Sequence, residues 1–93
     1  MIVTFQDAET EKLWATGKSR RIPTKIHRPA LRKLAMLNNV RDVELLRVPP
    51  ANHLEKLMGD RKGQYSIRIN DQYRICFVWR DGNAYEVEIV DYH

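Results

Sequence analysis

The chain has 93 residues and a formal net charge of +4, with sixteen Lys and Arg against twelve Asp and Glu. Apolar residues make up 43% and charged residues 30%, which excludes a disordered tail, and no apolar run approaches the roughly 20 residues that span a bilayer. The single cysteine, Cys76, excludes an internal disulfide framework, so we expect one small cytoplasmic domain over residues 1–93, without a signal peptide and with any chemistry in a shallow surface cleft.

The first 17 residues predict a short strand followed by a helix. Residues 1–5 are rich in β-forming side chains. Asp7 is a suitable N-cap for a helix that begins at Ala8, and Gly17 is a natural residue at its end. The chain therefore starts as an N-terminal strand and a first main helix.

A second main helix is predicted after Pro23. Leucines at helical spacing mark its buried side, with Arg32 and Lys33 turned outward. Pro29 fits the first turn of this helix or marks a kink. After a short helical turn over residues 42–46, residues 47–64 are predicted to be irregular.

The second half predicts three half-buried strands. Apolar and polar side chains alternate over residues 65–69, 73–79 and 85–90. Short turns separate these runs, so consecutive strands should form antiparallel hairpins. Two helices and a mostly antiparallel sheet define an α+β fold.

Keeping apolar side chains opposite each other fixes the register of both hairpins. In the first hairpin this rule places Arg68 opposite Arg74. In the second, the predicted pairs are Trp79 with Tyr85, Phe77 with Val87, Ile75 with Ile89 and Arg74 with Val90. Tyr92 then lies diagonally beside Arg74. Both arginines and Tyr92 are expected on the solvent-facing side of the sheet, opposite the core.

Two facing arginines repel each other unless something neutralises them. One interpretation is an anion site, because guanidinium groups bind phosphate oxygens in a forked geometry. The alternative is a structural cluster neutralised by nearby carboxylates, of which Glu88, Asp71 and Asp60 are the candidates. A basic face with a tyrosine would suit a phosphodiester backbone and a stacked base.

Other basic residues extend this pattern. They are concentrated in residues 18–33 and 56–80, whereas the last thirteen residues contain four acids and no Lys or Arg. This asymmetry indicates a surface for a polyanion, or alternatively a solvated face that keeps the protein soluble. The candidate RNA-binding residues are Lys18, Arg20, Arg21, Lys56, Arg61, Lys62 and Arg68.

The C-terminal triplet Asp91-Tyr92-His93 supplies groups that transfer protons. The imidazole of His93 titrates near neutrality, Tyr92 offers a phenol, and Asp91 could orient either. The bland alternative is a frayed end with a packing tyrosine. His27 and His53 are interpreted as surface residues.

The sequence resembles HigB toxins of the RelE-like superfamily over essentially its whole length. The resemblance rests on Gly59-Asp60-Arg61-Lys62-Gly63, on residues 65–70 and 73–77, and on the terminal Asp91-Tyr92-His93. Residues 16–21 and 32–37 are similar to the GraT-like branch. The resemblance implies a compact fold like that of microbial ribonucleases.

The resemblance also implies a function. Members of this family are toxins of type II toxin–antitoxin systems that cut mRNA on the ribosome without metal or cofactor, by attack of the 2′-hydroxyl. Arg74 matches the arginine at the scissile phosphate, and Asp91, Tyr92 and His93 match the catalytic triplet. The implied partners are the ribosome, mRNA and a HigA-like helix-turn-helix antitoxin, and operator DNA is bound only through the antitoxin complex.

One departure from the family pattern concerns the residues before Gly59. Some HigB toxins carry a catalytic histidine and lysine there, whereas this chain has Glu55 and Met58. Lys56 is a candidate replacement for the missing cation. The departure leaves the general base open, and it supports an alternative in which the chain is a non-catalytic module that binds RNA or an antitoxin.

Overall fold

The computed structural model describes residues 1–92, which form two helices packed on one face of a four-stranded antiparallel sheet. The helices are α1 (Ala8–Thr16) and α2 (His27–Asn39), and the strands are β1 (Glu55–Lys56), β2 (Gln64–Arg68), β3 (Tyr73–Arg80) and β4 (Asn83–Asp91). The strands are adjacent in chain order. This arrangement confirms the predicted α+β fold.

Both ends of α1 follow the predicted signals. The Asp7 side chain accepts a hydrogen bond from the Thr10 backbone N–H at 3.1 Å, which caps the first turn. Gly17 ends the helix in the left-handed conformation, at φ 82°. Local chemistry is therefore sufficient to set the limits of this helix.

The second helix contains one deviation that bears on function. Pro29 lies in the first turn of α2, where a backbone N–H has no partner within the helix. Arg32 is exposed as predicted, but Lys33 is half-buried, and its ammonium group donates a hydrogen bond to the Asn52 side chain. The prediction that Lys33 turns outward is wrong, because the segment around Asn52 packs against this side of α2.

The core lies between the helices and one face of the sheet. Residues from both layers are completely buried there, namely Leu13, Ala30, Leu34, Leu37, Ile67, Ile75, Phe77, Ala84 and Val87. The sheet residues in this set follow the predicted alternation in β2 and β3. None of the helices within residues 1–92 has the length and hydropathy to cross a bilayer.

The first hairpin has the predicted register. Tyr65 pairs with Phe77, Ile67 with Ile75, and Arg68 with Arg74. The Asn70 side chain closes the turn by accepting hydrogen bonds from the backbone N–H groups of the second and third residues after it. The two arginines are therefore direct cross-strand neighbours, as the sequence predicted.

The second hairpin contains a β-bulge that the sequence did not predict. Near the chain end the register is as expected, with Ile75 opposite Ile89. Between Cys76 and Val78 the register shifts, so Trp79 pairs with Ala84 and not with Tyr85. The predicted pair of Trp79 with Tyr85 is wrong because β4 contains one extra residue at the bulge, and Phe77, predicted opposite Val87, lies within the bulge itself.

The N-terminal segment does not form the predicted regular strand. It touches β4 through two isolated parallel bridges, from Ile2 to Ala84 and from Phe5 to Val87. Between them, the Thr4 hydroxyl accepts a hydrogen bond from the Glu86 backbone N–H at 2.8 Å. A side chain thus replaces a backbone partner at the bulge, and the ladder is interrupted.

Candidate functional site

The sheet face opposite the helices carries four of the predicted site residues, Arg61, Arg68, Arg74 and Tyr92, and we call it the arginine face. The strand registers set Glu55, Ser66, Cys76 and Glu88 in one row across the four strands. The next row contains Arg68, Arg74 and Val90. Sheet register therefore fixes Arg68 and Arg74 on this face, whereas Arg61 reaches it from the loop before β2.

Arg74 is held at the centre of the arginine face by several hydrogen bonds. Its Nε donates to the Ser66 hydroxyl at 2.8 Å, and its Nη2 donates to the His53 backbone carbonyl. Its Nη1 lies 3.5 Å from a carboxylate oxygen of Glu55. These contacts fix the orientation of the guanidinium plane.

The predicted surroundings of Arg74 are partly wrong. It was expected to face solvent, yet it is only 8% exposed, because the segment that leads into β1 folds over its side chain. The predicted neighbours are confirmed: Arg68 lies opposite it, and the guanidinium carbon lies 5.6 Å from the centre of the Tyr92 ring. That distance is within range of a cation–π interaction.

Carboxylates pair with Arg61, Arg68 and Arg74. Arg68 pairs with Asp71, and Arg61 pairs with Glu88 at 2.7 Å, while Glu55 faces Arg74. The hydrogen bond to Glu88 raises the pKa of the Arg61 guanidinium. The alternative interpretation of the facing arginines was a cluster neutralised by carboxylates, and the structure has these ion pairs. Glu88, however, pairs with Arg61 and not with Arg74.

The C-terminal segment is positioned by the turn between β2 and β3. The Tyr92 backbone N–H donates to the Gln72 carbonyl at 2.7 Å, and the Gln72 side chain donates to the Asp91 carboxylate at 2.9 Å. Tyr92 is thereby placed beside Arg74, with nearly half of its surface exposed. His93, the remaining member of the predicted triplet, lies outside the described residues.

The structure separates the other predicted RNA-binding residues. Arg61 reaches the arginine face, and Lys62 follows it as an exposed residue. Lys56 projects to the opposite side of β1 from Glu55, because successive side chains of a strand alternate. Lys18, Arg20 and Arg21 lie on the loop between α1 and α2, on the helical side of the molecule.

Sequence reasoning missed three residues of the site. Glu55 was noted only as a departure from a family pattern, and His53 was interpreted as a remote surface residue, although its carbonyl contacts Arg74. Gln72 belongs to the short turn predicted between residues 65–69 and 73–79, but its contacts with Asp91 and Tyr92 were not predicted. A two-residue strand is too short to show periodicity, so no signal in the sequence placed Glu55 and His53 on this face.

The buried thiol of Cys76 lies beneath the arginine face. Burial raises the pKa of this thiol, an effect that the nearby Arg61 only partly offsets. Cys76 is therefore a neutral packing residue. Within residues 1–92, no three His, Cys, Asp or Glu side chains are grouped as metal ligands would be.

The fold is that of a known class of small bacterial toxin. The YoeB–YefM complex from Staphylococcus aureus contains a chain that superimposes with a TM-score of 0.59 at 16% identity, covering 100% of this chain and 98% of that one. A second structure, of the heterotetrameric YoeB–YefM toxin–antitoxin complex, gives a TM-score of 0.58 at 18% identity. The likeness at this identity concerns the fold.

Sequence comparison defines the family. A family model described as "RelE-like toxin of type II toxin-antitoxin system HigB" matches residues 3–93. Toxin HigB-1 of Vibrio cholerae is 41% identical over 85 residues, which cover 90% of both chains. Endoribonuclease HigB of Proteus vulgaris is 42% identical over 40 residues, 43% of this chain. The chain belongs to the HigB-like family of RelE-like toxins of type II toxin–antitoxin systems.

Proposed function

We propose that this toxin is an endoribonuclease that cuts mRNA on the ribosome, with Arg74 at the scissile phosphate. The observation that carries the proposal is the anchored guanidinium of Arg74, which has the carboxylate of Glu55 on one side and Tyr92 on another. A fixed cation beside an exposed carboxylate is what phosphodiester cleavage needs. The name of the Proteus vulgaris relative supports the same activity.

The reaction begins with proton removal from the 2′-hydroxyl of the RNA. In our proposal the Glu55 carboxylate takes this proton, because its side chain is 55% exposed and 3.5 Å from Arg74. The 2′-oxygen then bonds to phosphorus, the bond from phosphorus to the 5′-oxygen breaks, and that oxygen receives a proton. Arg74 stabilises the charge that develops on the phosphoryl oxygens.

The C-terminal triplet has the remaining roles in this proposal. His93 donates the proton to the leaving 5′-oxygen, Asp91 orients the reacting groups, and Tyr92 stacks on a base or binds the 2′-hydroxyl. DNA is not cut because it lacks the 2′-hydroxyl nucleophile. The reaction as proposed draws only on side chains, without metal or cofactor.

The basic residues around the site bind RNA in the same proposal. Arg61, Lys62 and Arg68 guide the message across the arginine face, while Lys18, Arg20 and Arg21 contact ribosomal RNA from the helical side. Lys56 contributes from the edge of the sheet only. The toxin acts in the cytoplasm and is neutralised by a HigA-like helix-turn-helix antitoxin, and operator DNA is bound through that complex.

We expect cleavage to depend on the ribosome. The site is an open face and not a deep cleft, so free RNA would be held in few productive orientations, and the ribosome would supply most of the alignment. Purified protein should leave naked mRNA intact and cut the same message during translation. Primer extension on both samples makes the comparison, and efficient cutting of naked mRNA would show that the ribosome is not needed.

Growth measurements separate this proposal from a non-catalytic module on the same fold. Expression of the wild-type chain without an antitoxin should slow growth, because translated messages are cut. His93→Ala should relieve the arrest at equal protein level, since the leaving oxygen then lacks its proton donor. Persistent arrest by His93→Ala at wild-type strength would favour binding without cleavage, or a different proton donor.

A further inference from the structure

A basic cleft lies beside the arginine face, and it has no role in the proposed reaction. It opens between α2 and the turn that joins β2 to β3, with a volume of about 380 Å³. Its lining residues are Lys33, Ala51, Arg68, Ile69, Asn70 and Asp71. Two cations from separate elements therefore face one small open space.

Lys33 is built into this cleft and does not move freely on the surface. Its ammonium group donates to the side-chain oxygen of Asn52, a completely buried residue whose amide donates in turn to the Leu46 carbonyl at 3.1 Å. Partial burial, with the nearby charge of Arg32, lowers the pKa of Lys33. Within residues 1–92 no carboxylate lies within ion-pairing distance of this ammonium group, so its charge is not neutralised there.

Arg68 completes the cleft with a positioned but exchangeable charge. Its Nε donates to the Asn70 carbonyl at 3.1 Å, which fixes the side chain over the turn. Its other contact is the ion pair with Asp71, whose side chain is 91% exposed. Exposed ion pairs of this kind contribute little free energy, so an incoming anion can replace the carboxylate.

The cleft and Arg74 share neighbouring residues on the strands and on the segment before β1. Arg68 is the direct cross-strand partner of Arg74. In addition, two consecutive residues contact the two sites: the Asn52 side chain accepts a hydrogen bond from Lys33, and the His53 carbonyl accepts one from Arg74. A strand of RNA whose phosphate lies at Arg74 would therefore pass Arg68 before it reaches Lys33.

We propose that the cleft of Lys33 and Arg68 is a second phosphate subsite, which binds the phosphodiester next to the one at Arg74 in single-stranded RNA. The inference rests on the proposed function in that it takes Arg74 as the first phosphate site. RNA is favoured over an acidic peptide because Arg68, which lines the cleft, is also the cross-strand neighbour of Arg74, the proposed site of the first phosphate. The subsite fixes which bond of the RNA lies over Glu55.

Binding of a short RNA to the purified full-length toxin tests the subsite. The probe is a tetranucleotide RNA with 2′-O-methyl groups, which cannot be cut, and calorimetry measures its affinity. Lys33→Gln should weaken binding about tenfold, the scale of one charge-assisted hydrogen bond. Arg32→Gln, which removes the same charge from the exposed neighbour on α2, should change it little. Asp71→Asn should strengthen binding, because it removes the carboxylate that competes for Arg68.

Three further measurements separate a phosphate contact from a structural role. Removing one phosphate contact should reduce the slope of log affinity against log salt by about 0.7, the value for a single strand. Lys33→Arg should restore most of the binding if charge is what matters. A second probe replaces the neighbouring phosphate with one neutral methylphosphonate. The wild type should bind this probe about as weakly as Lys33→Gln binds the unmodified probe. For Lys33→Gln, the affinities for the two probes should be equal.

The outcomes distinguish the subsite from the proposed function. Equal losses from Lys33→Gln and Arg32→Gln, an unchanged salt slope, or tighter binding of a tetraglutamate peptide than of RNA would overturn the subsite. Cleavage of mRNA on ribosomes, measured separately with the same variants, tests the nuclease activity. RNA binding through Lys33 without any cleavage would support the subsite and contradict the nuclease activity. Cleavage and RNA binding that are both unaffected by Lys33→Gln would support the nuclease activity and contradict the subsite.

Discussion

Replacing Arg74 with lysine is expected to slow mRNA cleavage on the order of 10²-fold, by analogy with the loss of one donor to a developing oxyanion. Lysine keeps a positive charge but loses the planar fork. It also loses the arrangement that fixes the guanidinium here, with Nε on the Ser66 hydroxyl and Nη2 on the His53 carbonyl. A flexible ammonium group would not be held beside Glu55 in one orientation.

The measurement is single-turnover cleavage of mRNA on programmed ribosomes, with ribosome binding measured separately. Arg80→Lys is a matched control, because Arg80 is at the exposed far end of the same strand. Binding should change little in either variant, since many other basic residues share it. Because Arg74 is buried, thermal unfolding must show that the variant is folded. A folded Arg74→Lys that cuts within a few-fold of wild type would assign Arg74 to docking and not to catalysis.

The first hairpin could be predicted in detail because a register error would have been costly. A slip of one residue would exchange the two faces of β2 and place Ile67 and Ile69 in water. The alternation was therefore sufficient to put Arg68 opposite Arg74, which the structure confirms. The caps of α1 were equally local, since Asp7 and Gly17 carry their own conformational preferences.

The second hairpin shows where that reasoning ends. Glu86 has a positive φ of 53°, a backbone conformation that glycine or asparagine usually signals and glutamate does not. The bulge is stabilised from outside the hairpin, by Thr4 at the other end of the chain. No pattern within residues 83–91 carries information about that contact, so the predicted pair of Trp79 with Tyr85 was wrong.

The sequence predicted which strand residues of the candidate site lie together, but it did not predict the burial of Arg74. Strand register brought Arg68, Arg74 and Tyr92 together, whereas the burial of Arg74 comes from an irregular segment that crosses the face. His53 there has a φ of 44° and points its carbonyl at the guanidinium. Such loop geometry follows from tertiary contacts, which periodicity does not encode.

The carboxylates on the arginine face have two consequences for an RNA ligand. They hold the arginines in place while the site is empty, which reduces the ordering that binding requires. They also compete with phosphate for the same N–H groups. For Arg61 and Arg68 only these effects apply, but Glu55 differs because it lies at 3.5 Å from the anchored Arg74, where a reacting 2′-hydroxyl would be bound.

The substitution Glu55→Gln therefore tests a chemical role against an electrostatic one. If Glu55 is the general base, cleavage should fall between about 10²- and 10⁴-fold, because glutamine has nearly the same shape but cannot accept the proton.

If Glu55 only competes for Arg74, the same substitution should have the opposite effect. Removing the competitor would tighten RNA binding, and the cleavage rate would be retained or improved. Glu44→Gln is the matched control, because it removes a carboxylate from an exposed arginine pair, with Arg47 at 2.6 Å, on a distant surface. Single-turnover rates, together with binding of the uncleavable tetranucleotide, separate the two roles. Slower cleavage with unchanged or tighter binding identifies Glu55 as the base, whereas faster cleavage assigns proton removal to another group.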